Sequence, residues 1–530
     1  MTTVEQFTED ERRALAPYFT NVDSPVFALR HLPEVVKGAL FARYSRSPKS
    51  LRRLFLDEFH EQIEAAAPRD EVGVERAERL YEKVFSDYGD DSVAQLGGAH
   101  IACEGASNLL TKILEWGRLM SYLEQSTRYI SYTDRRGDRW KYLLPKEIAE
   151  GGLRDDYNCC LDLAFATYAA WLEPMDRHYQ ARYPKTPADS EAVYRRTIRA
   201  KSLDTLRGLL PAATQSNVGL FGTGQAFEAL LLRLRAHPLA EARECGERML
   251  VELRQVIPAF LKRVDMAERG GRWSEYLAET TRQTLALTAE LIGDTLPVPA
   301  EEVSLVEFDP EGETKVVAAA LYAGSTLPDR QLLAIARSLS AEQRSALLRA
   351  YVGERGNRRH KPGRAFERTS YRFDILTDYG AFRDLQRHRM LSLEWQTLSP
   401  HHGYHVPEAV EDVGAGDEWR RCMDESARLF ERLAEHHGRP VAAYCVPMAY
   451  RVRFFMDMNA REAMHVIELR TAPQGHPAYR RVCQQMHRLI AEEAGHRAIA
   501  EAMAYADHSA VELERLAAER RLEQRRGGES

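Results

Sequence analysis

A pattern that begins again partway along the chain restricts the fold more than any other feature of this sequence. Lys315-Val316-Val317-Ala318-Ala319-Ala320-Leu321-Tyr322-Ala323 echoes Glu34-Val35-Val36-Lys37-Gly38-Ala39-Leu40-Phe41-Ala42, offset by 281 positions at the first valine (316 minus 35). Further on, Arg387-His388-Arg389-Met390-Leu391-Ser392 matches the frame of Trp116-Gly117-Arg118-Leu119-Met120-Ser121 at 271 positions (389 minus 118). Val446-Pro447-Met448-Ala449 occupies the place of Leu210-Pro211-Ala212-Ala213, and a turn and a long helix are expected after each. Self-similarity of this kind means that one supersecondary unit is used twice. The stretch Leu296 to Glu302, with two prolines and two glutamates, reads as the linker, which places a first repeat at residues 1–298 and a second at 299–530.

Length agrees with two domains, since 530 residues exceed what a single core usually organises. A chain that is 44% hydrophobic and 29% charged can bury a sizeable core. Its net charge of -6 argues against a general nucleic-acid binder. No apolar run approaches the roughly 18 residues needed to cross a bilayer, so no membrane association is expected. Glu5, Glu9, Asp10 and Glu11 precede any apolar segment, unlike a secretion signal, and the cytoplasm is the expected compartment. The seven cysteines include no C-x-x-C pair, which indicates neither a disulfide framework nor a thiolate zinc site.

Periodicity predicts helices over 51–67, 74–87, 157–179, 191–209 and 225–267, and strands over 99–107 and 369–376. Tyr88 to Ser92 reads as a capped turn, and the glycine-rich Gly219 to Gly224 as a turn before a helix. The charged end from Glu512 to Ser530 reads as a fraying helix.

Two clusters carry chemistry. Arg387-His388-Arg389 packs three potential cations together, and on a cleft wall such a group needs anions to offset its desolvation, a phosphate being one. The plain alternative is a solvated basic run on a helix. In the first copy Glu124-Gln125-Ser126-Thr127-Arg128-Tyr129 offers six successive hydrogen-bonding side chains, expensive to bury unless something polar is held. Glu124 and Gln125 suit a base or sugar edge, Ser126 a phosphate oxygen, and Arg128 a bidentate grip on phosphate. A polar loop that holds no ligand is the alternative there.

At these residues the sequence resembles the flavin-dependent thymidylate synthases, whose signature is R-H-R, two variable residues and serine, followed by an E-x-S-x-R-Y-like segment. The resemblance covers both copies, and it implies an α+β fold, helix-rich with small antiparallel sheets, present as two tandem copies. It also implies an enzyme that binds FAD, takes electrons from NADPH and moves the methylene of methylenetetrahydrofolate to dUMP, giving dTMP. Members are homotetramers with sites built from several chains, so a homodimer of the tandem chain is expected to imitate the tetramer. Each copy keeps a different part of the signature. The second holds Arg387, His388, Arg389 and Ser392 but continues as Trp395-Gln396-Thr397-Leu398-Ser399-Pro400, while the first keeps Glu124 to Tyr129 but has Trp116 and Gly117 ahead of Arg118.

These complementary losses imply composite sites. Met458 to Arg470 resembles the family segment that contacts FAD and ends on an arginine at the uracil; Asn459, Arg461 and Arg470 match by type, and His465 stands where an asparagine is expected. The resemblance therefore assigns FAD to Arg387, His388, Arg389, Asn459, Arg461 and His465. It assigns dUMP to Glu124, Gln125, Ser126, Arg128 and Arg470, with Arg470 also catalytic through charge stabilisation. A serine near the flavin corresponds to Ser45 or Ser325, and Arg364 stands near a family phosphate turn. Two alternatives stay open: a flavin- and nucleotide-binding relative that no longer makes dTMP, and a di-iron carboxylate protein. The second rests on Glu462-x-x-His465 and Glu493-x-x-His496, the ligand spacing of di-iron bundles. No metal ligand is assigned, because E-x-x-H arises often in charged helices, and His401, His402 and His405 read as a polar loop.

Overall fold

A computed structural model describes residues 5–44, 47–60, 95–187 and 189–527. Ser45, the helix expected over 74–87 and the turn at Tyr88 to Ser92 lie outside the described residues. Of the helix expected over 51–67, Leu51–Glu58 is described. The chain forms two compact units, neither continuous in sequence. One comprises Met1–Ala106, Ile113–Glu124 and Asn217–Thr295; the other comprises Ser107–Lys112, Gln125–Ser216 and Leu296–Ser530.

The two copies agree element by element. Strand Gly98–Ser107 and helix Asn108–Leu114 are matched by strand Ser370–Asp378 and helix Tyr379–Leu385. Strand Met120–Glu124 is matched by Ser392–Trp395, and Gln215–Thr223 by Arg451–Asn459, each of the latter pair nine residues long and followed directly by a helix. Both sheets are ordered alike, with the nine-residue strand central, and the second adds Val303–Phe308 on its outer edge. The fold is two tandem copies of one helix-rich α+β unit with a small antiparallel sheet.

Segments Leu210–Ala213 and Val446–Ala449 pair with each other inside the second unit. Ala212 N donates to Val446 O at 2.9 Å and Met448 N to Leu210 O at 3.0 Å. Ala213 N donates to Tyr444 O at 2.9 Å and Ala449 N to Gly208 O at 2.9 Å. Each bond is the counterpart of its partner when the copies are exchanged, with Pro211 facing Pro447 at the centre. This reciprocity is what a two-fold relation between like surfaces produces.

The glycine-rich segment is not a turn. Gln215–Thr223 is a strand with Ser216, Val218, Leu220 and Gly222 buried, and Arg451–Asn459 buries Val452, Phe454, Met456 and Met458 with the same period of two. A strand therefore stands between each Leu/Val-Pro segment and its helix. The glycine at 222 permits close packing, because a Cβ there would lie 2.8 Å from Met120 Cε.

In the second sheet Tyr371, Phe373 and Ile375 point into a core closed by helix Pro477–Glu492 through Val482, Cys483, Met486 and Ile490. Most of the charged stretch read as a fraying helix is described, as helix Leu516–Gly527. This helix belongs to the second unit, where Arg520 forks onto Asp189 at 2.6 and 2.9 Å and Arg196 Nε meets Glu519 at 3.0 Å. Lys201 Nζ reaches Glu514 at 2.8 Å. These charges complement those on and beside helix Glu191–Leu206.

Candidate functional site

Helix Tyr379–Leu385 starts on Asp378, whose carboxylate accepts from Ala381 N at 2.9 Å, and its far end delivers Asp384, Arg387 and His388 to one place. Asp384 is surrounded by guanidinium groups: Arg387 at 3.7 Å, Arg470 at 3.9 Å and Arg207 at 4.0 Å. Burial pushes its carboxyl up, but Arg387, Arg470, Arg207 and Arg128 together outweigh that and hold it below the usual carboxylate range. Arg387 is one-third exposed.

His388 is buried at 8% exposure. Arg470 Nε donates to His388 Nε2 at 2.9 Å, and Arg470 Nη2 donates to the Asp384 carbonyl. Burial first, then the charge of Arg470, lowers the imidazole pKa far below its ordinary value. The neutral ring therefore carries its proton on Nδ1, 3.6 Å from Glu462 Oε1.

Helix Ala460–Arg470 brings Glu462, His465 and Arg470 to the same cluster. Its cap is Asn459, whose Oδ1 accepts from Glu462 N at 2.9 Å. His465 lies with its ring centre 5.4 Å from that of His388 and is lowered to about 4 by burial and by Lys361, Arg358, Arg470 and Arg461. Arg461 Nε donates to Pro362 O at 3.0 Å, and Arg389 is exposed. Burial raises Glu462 to about 7 against the opposing pull of Lys361, Arg461 and Arg389.

The first copy's segment arrives at the same cluster through Arg128. Arg128 Nε reaches both Asp204 oxygens at 2.8 Å, and its Nη1 donates to Tyr479 Oη at 3.2 Å and Gln474 O at 3.4 Å. Arg470 lies over the ring of the same Tyr479, 5.5 Å from its centre. Arg128 of the first copy and Arg470, His388 and Arg387 of the second thus share one network inside the second unit. Ser126 Oγ accepts from Arg128 N at 3.2 Å, and Gln125 O accepts from Ser216 Oγ at 3.4 Å. Glu124 is buried at the end of its strand opposite Val218, in the first unit. Ser325 Oγ accepts from Leu327 N at 2.9 Å, and Arg364 pairs with Glu367 on the surface.

Sequence reasoning missed Asp384, Asp204, Tyr479 and Lys361. Asp384 precedes Arg387 by three positions, the spacing at which opposite charges on a helix meet, and that signal was available. Asp204 and Tyr479 lie 76 and 351 positions from Arg128, and no local pattern announces them.

The donors His388, Glu462 and His465 lie close enough to hold a metal ion, and they are the one such group among the described residues. Two features oppose a cation there. The His388 Nε2 lone pair already accepts from Arg470, and Lys361, Arg389 and Arg461 face the group. The second E-x-x-H pair does not join it: His496 is buried against Tyr371 Oη at 2.7 Å. The two pairs therefore do not form the di-iron arrangement. A wall of guanidinium and ammonium groups fits an anion, as the phosphates of a dinucleotide cofactor would be.

A family profile described as "Thymidylate synthase complementing protein" matches residues 38–259 and 304–495. A protein from Chlamydia muridarum (strain MoPn / Nigg), named UPF0159 protein, is 36% identical over 522 residues, covering 97% of this chain and 98% of its own length. A relative of the same name from Chlamydia pneumoniae is 37% identical, covering 92% of this chain and 93% of its own. A flavin-dependent thymidylate synthase from Clostridium tetani is 27% identical over 187 residues, covering 34% of this chain and 67% of its own length. With two matches that together span most of the sequence, the chain belongs to the thymidylate synthase complementing protein family, as a tandem-duplicated member.

Proposed function

We propose that the protein is a flavin-dependent thymidylate synthase whose working site is divided between its two copies. The reaction is reductive methylation of dUMP to dTMP, with methylenetetrahydrofolate as one-carbon donor and NADPH as reductant. The observation that carries this reading is the shared Tyr479, which takes a hydrogen bond from Arg128 of the first copy while Arg470 of the second covers its ring.

Electrostatics support a nucleotide. Arg128, Arg207, Arg387 and Arg470 face Asp204 and Asp384, Arg207 also acts on Asp378, and the neighbouring His388 is neutral. The guanidinium groups outnumber these carboxylates, which suits an anion such as a phosphate monoester. In this reading Glu124, Gln125, Ser126 and Arg128 hold the sugar and phosphate of dUMP. Arg470 donates through Nε to His388 and through Nη2 to the Asp384 carbonyl, with Nη1 3.9 Å from the Asp384 carboxylate, and in this reading the guanidinium so held stabilises charge that develops on a uracil carbonyl. Arg387, His388, Arg389, Asn459, Arg461 and His465 orient FAD. Redox chemistry comes from the flavin when it is bound, and no protein nucleophile is needed. A second copy of the chain is expected to complete the assembly.

One observation favours the other family reading. Asp204 already occupies the Arg128 fork with both oxygens, as a phosphate would. If no nucleotide displaces it, the protein is a flavin-binding relative without dTMP synthesis. The test is a dTMP-forming assay with dUMP, methylenetetrahydrofolate, FAD and NADPH, run beside flavin absorption and dUMP titration. Product formation is the expected result. Flavin uptake without dUMP binding would establish the second reading.

A further inference from the structure

Beside Arg128 the second unit holds a cavity of about 320 Å³, lined by Arg128, Tyr129, Arg195, Arg196, Arg199 and Arg515, with Glu519 as the acid in its lining. Four of these arginines have carboxylate partners. Arg128 is held by Asp204, Arg195 by Glu191 at 2.6 Å, Arg196 by Glu519 at 3.0 Å and Arg199 by Asp176 at 2.7 Å. Arg515 has no ion pair among the described residues. It is half-buried, its guanidinium stacked 3.7 Å from the centre of the Tyr129 ring.

Burial first, and then the charge of Arg128, outweigh the opposing charge of Glu519 and lower the Arg515 pKa to about 10, so the group remains a cation at neutral pH. Holding an unpaired guanidinium there is unfavourable until an anion arrives. The placement is also built rather than incidental. Glu514 and Glu519, which flank Arg515, are tied to Lys201 and Arg196, and Arg520 is tied to Asp189.

We propose that the C-terminal tail completes an oxyanion subsite, in which Arg515, Arg195 and Arg199 take a phosphate or carboxylate group of a small molecule lying against Tyr129. This rests on the nucleotide reading only in sharing Arg128. A cavity of this size lies within the range that takes small ligands. Its aromatic wall suits a planar or apolar part, and its arginines a group bearing two or more negative charges. Two reactants carry such groups: the 5′-phosphate of the nucleotide and the glutamyl carboxylates of the folate.

The test is calorimetry on the full chain with inorganic pyrophosphate, dUMP, deoxyuridine, and folate bearing one or three glutamates. Wild type is compared with Arg515→Ala, Arg515→Lys and Arg195→Ala. Arg515→Ala is expected to weaken pyrophosphate at least tenfold, Arg515→Lys to restore most of it, and Arg195→Ala, which leaves the tail docked, to act in the same direction. A parallel loss for dUMP but not deoxyuridine identifies the nucleotide phosphate. A loss confined to the triglutamyl folate identifies the carboxylate tail. If Arg515→Ala leaves every anion within twofold of wild type, or wild type binds none of them, the subsite does not exist. Wild type that binds pyrophosphate through Arg515 yet ignores dUMP would overturn the nucleotide reading and leave the subsite standing.

Discussion

In the first copy the residue 271 positions before His388 (388 minus 117) is Gly117. A side chain there would begin 2.7 Å from Tyr122 Oη, and the preceding Trp116 ring lies 5.4 Å from the Arg233 guanidinium. In the second copy the same helix end carries His388 buried under Arg470, with Asp384 and Arg387 beside it. The opposite exchange occurs a few residues on. Where the first copy has Glu124 to Tyr129, with Arg128 reaching Asp204 and Tyr479, the second has Trp395 packed 5.5 Å from Phe382 and Gln396 N bonded to Arg453 O at 2.9 Å. Each copy has turned one half of the motif into ordinary packing and kept the other half charged. Duplication permits this, because the reciprocal pairing across Pro211 and Pro447 keeps the copies together while each specialises.

The sharpest test of the comparison sets Arg128 against its counterpart Ser399 (128 plus 271). Arg128→Ala is expected to weaken dUMP more than about hundredfold, since charged hydrogen bonds contribute roughly 1.5–3 kcal/mol each, while Ser399→Ala stays near wild type in the same titration. Arg128→Ala also strands Asp204, a loss of about 3–5 kcal/mol for a buried pair, so the folded fraction is to be matched by circular dichroism. Equal losses at both positions would erase the distinction between the copies.

The flavin half is tested by its own pair. His388→Ala is expected to purify without flavin absorbance. Gly117→Ala is expected to keep it but lose about 1–3 kcal/mol of stability, as overpacking at a filled site does, read from urea denaturation. A Gly117→Ala protein that loses flavin would place cofactor in the first copy instead.

The smallest effect concerns Glu462, whose first-copy counterpart is Ala226 (462 minus 236). Burial raises the Glu462 carboxyl from 4.5 to about 7. Between those values the native state binds the extra proton, so stability falls as pH rises from about 4.5 to about 7 and is level above. The contribution is at most about 3 kcal/mol. Glu462→Gln should flatten that slope in denaturation curves taken across the window; an unchanged slope would assign it to another group.

Much of this was legible in the residues. The repeat, the strands over 99–107 and 369–376, and the clusters at Arg387 and Glu124 are local patterns, and local patterns are what periodicity and motif spacing report. Reading Gly219 to Gly224 as a turn failed because glycine marks both turns and close packing, and only the neighbouring Met120 distinguishes them. The charged tail reads as a fraying helix because its partners are remote: Glu514, Glu519 and Arg520 meet Lys201, Arg196 and Asp189 more than 300 positions away.

By itself, then, the sequence determined that one α+β unit is used twice and that each use keeps a different half of the family signature. Tertiary structure alone decided that Arg128 meets Arg470 at Tyr479, that Asp384 sits among four arginines, and that Arg515 returns from the C-terminal end to Tyr129. The reason is separation along the chain. A charge has many possible partners hundreds of residues away, and only the packed core, by fixing which surfaces adjoin, selects among them.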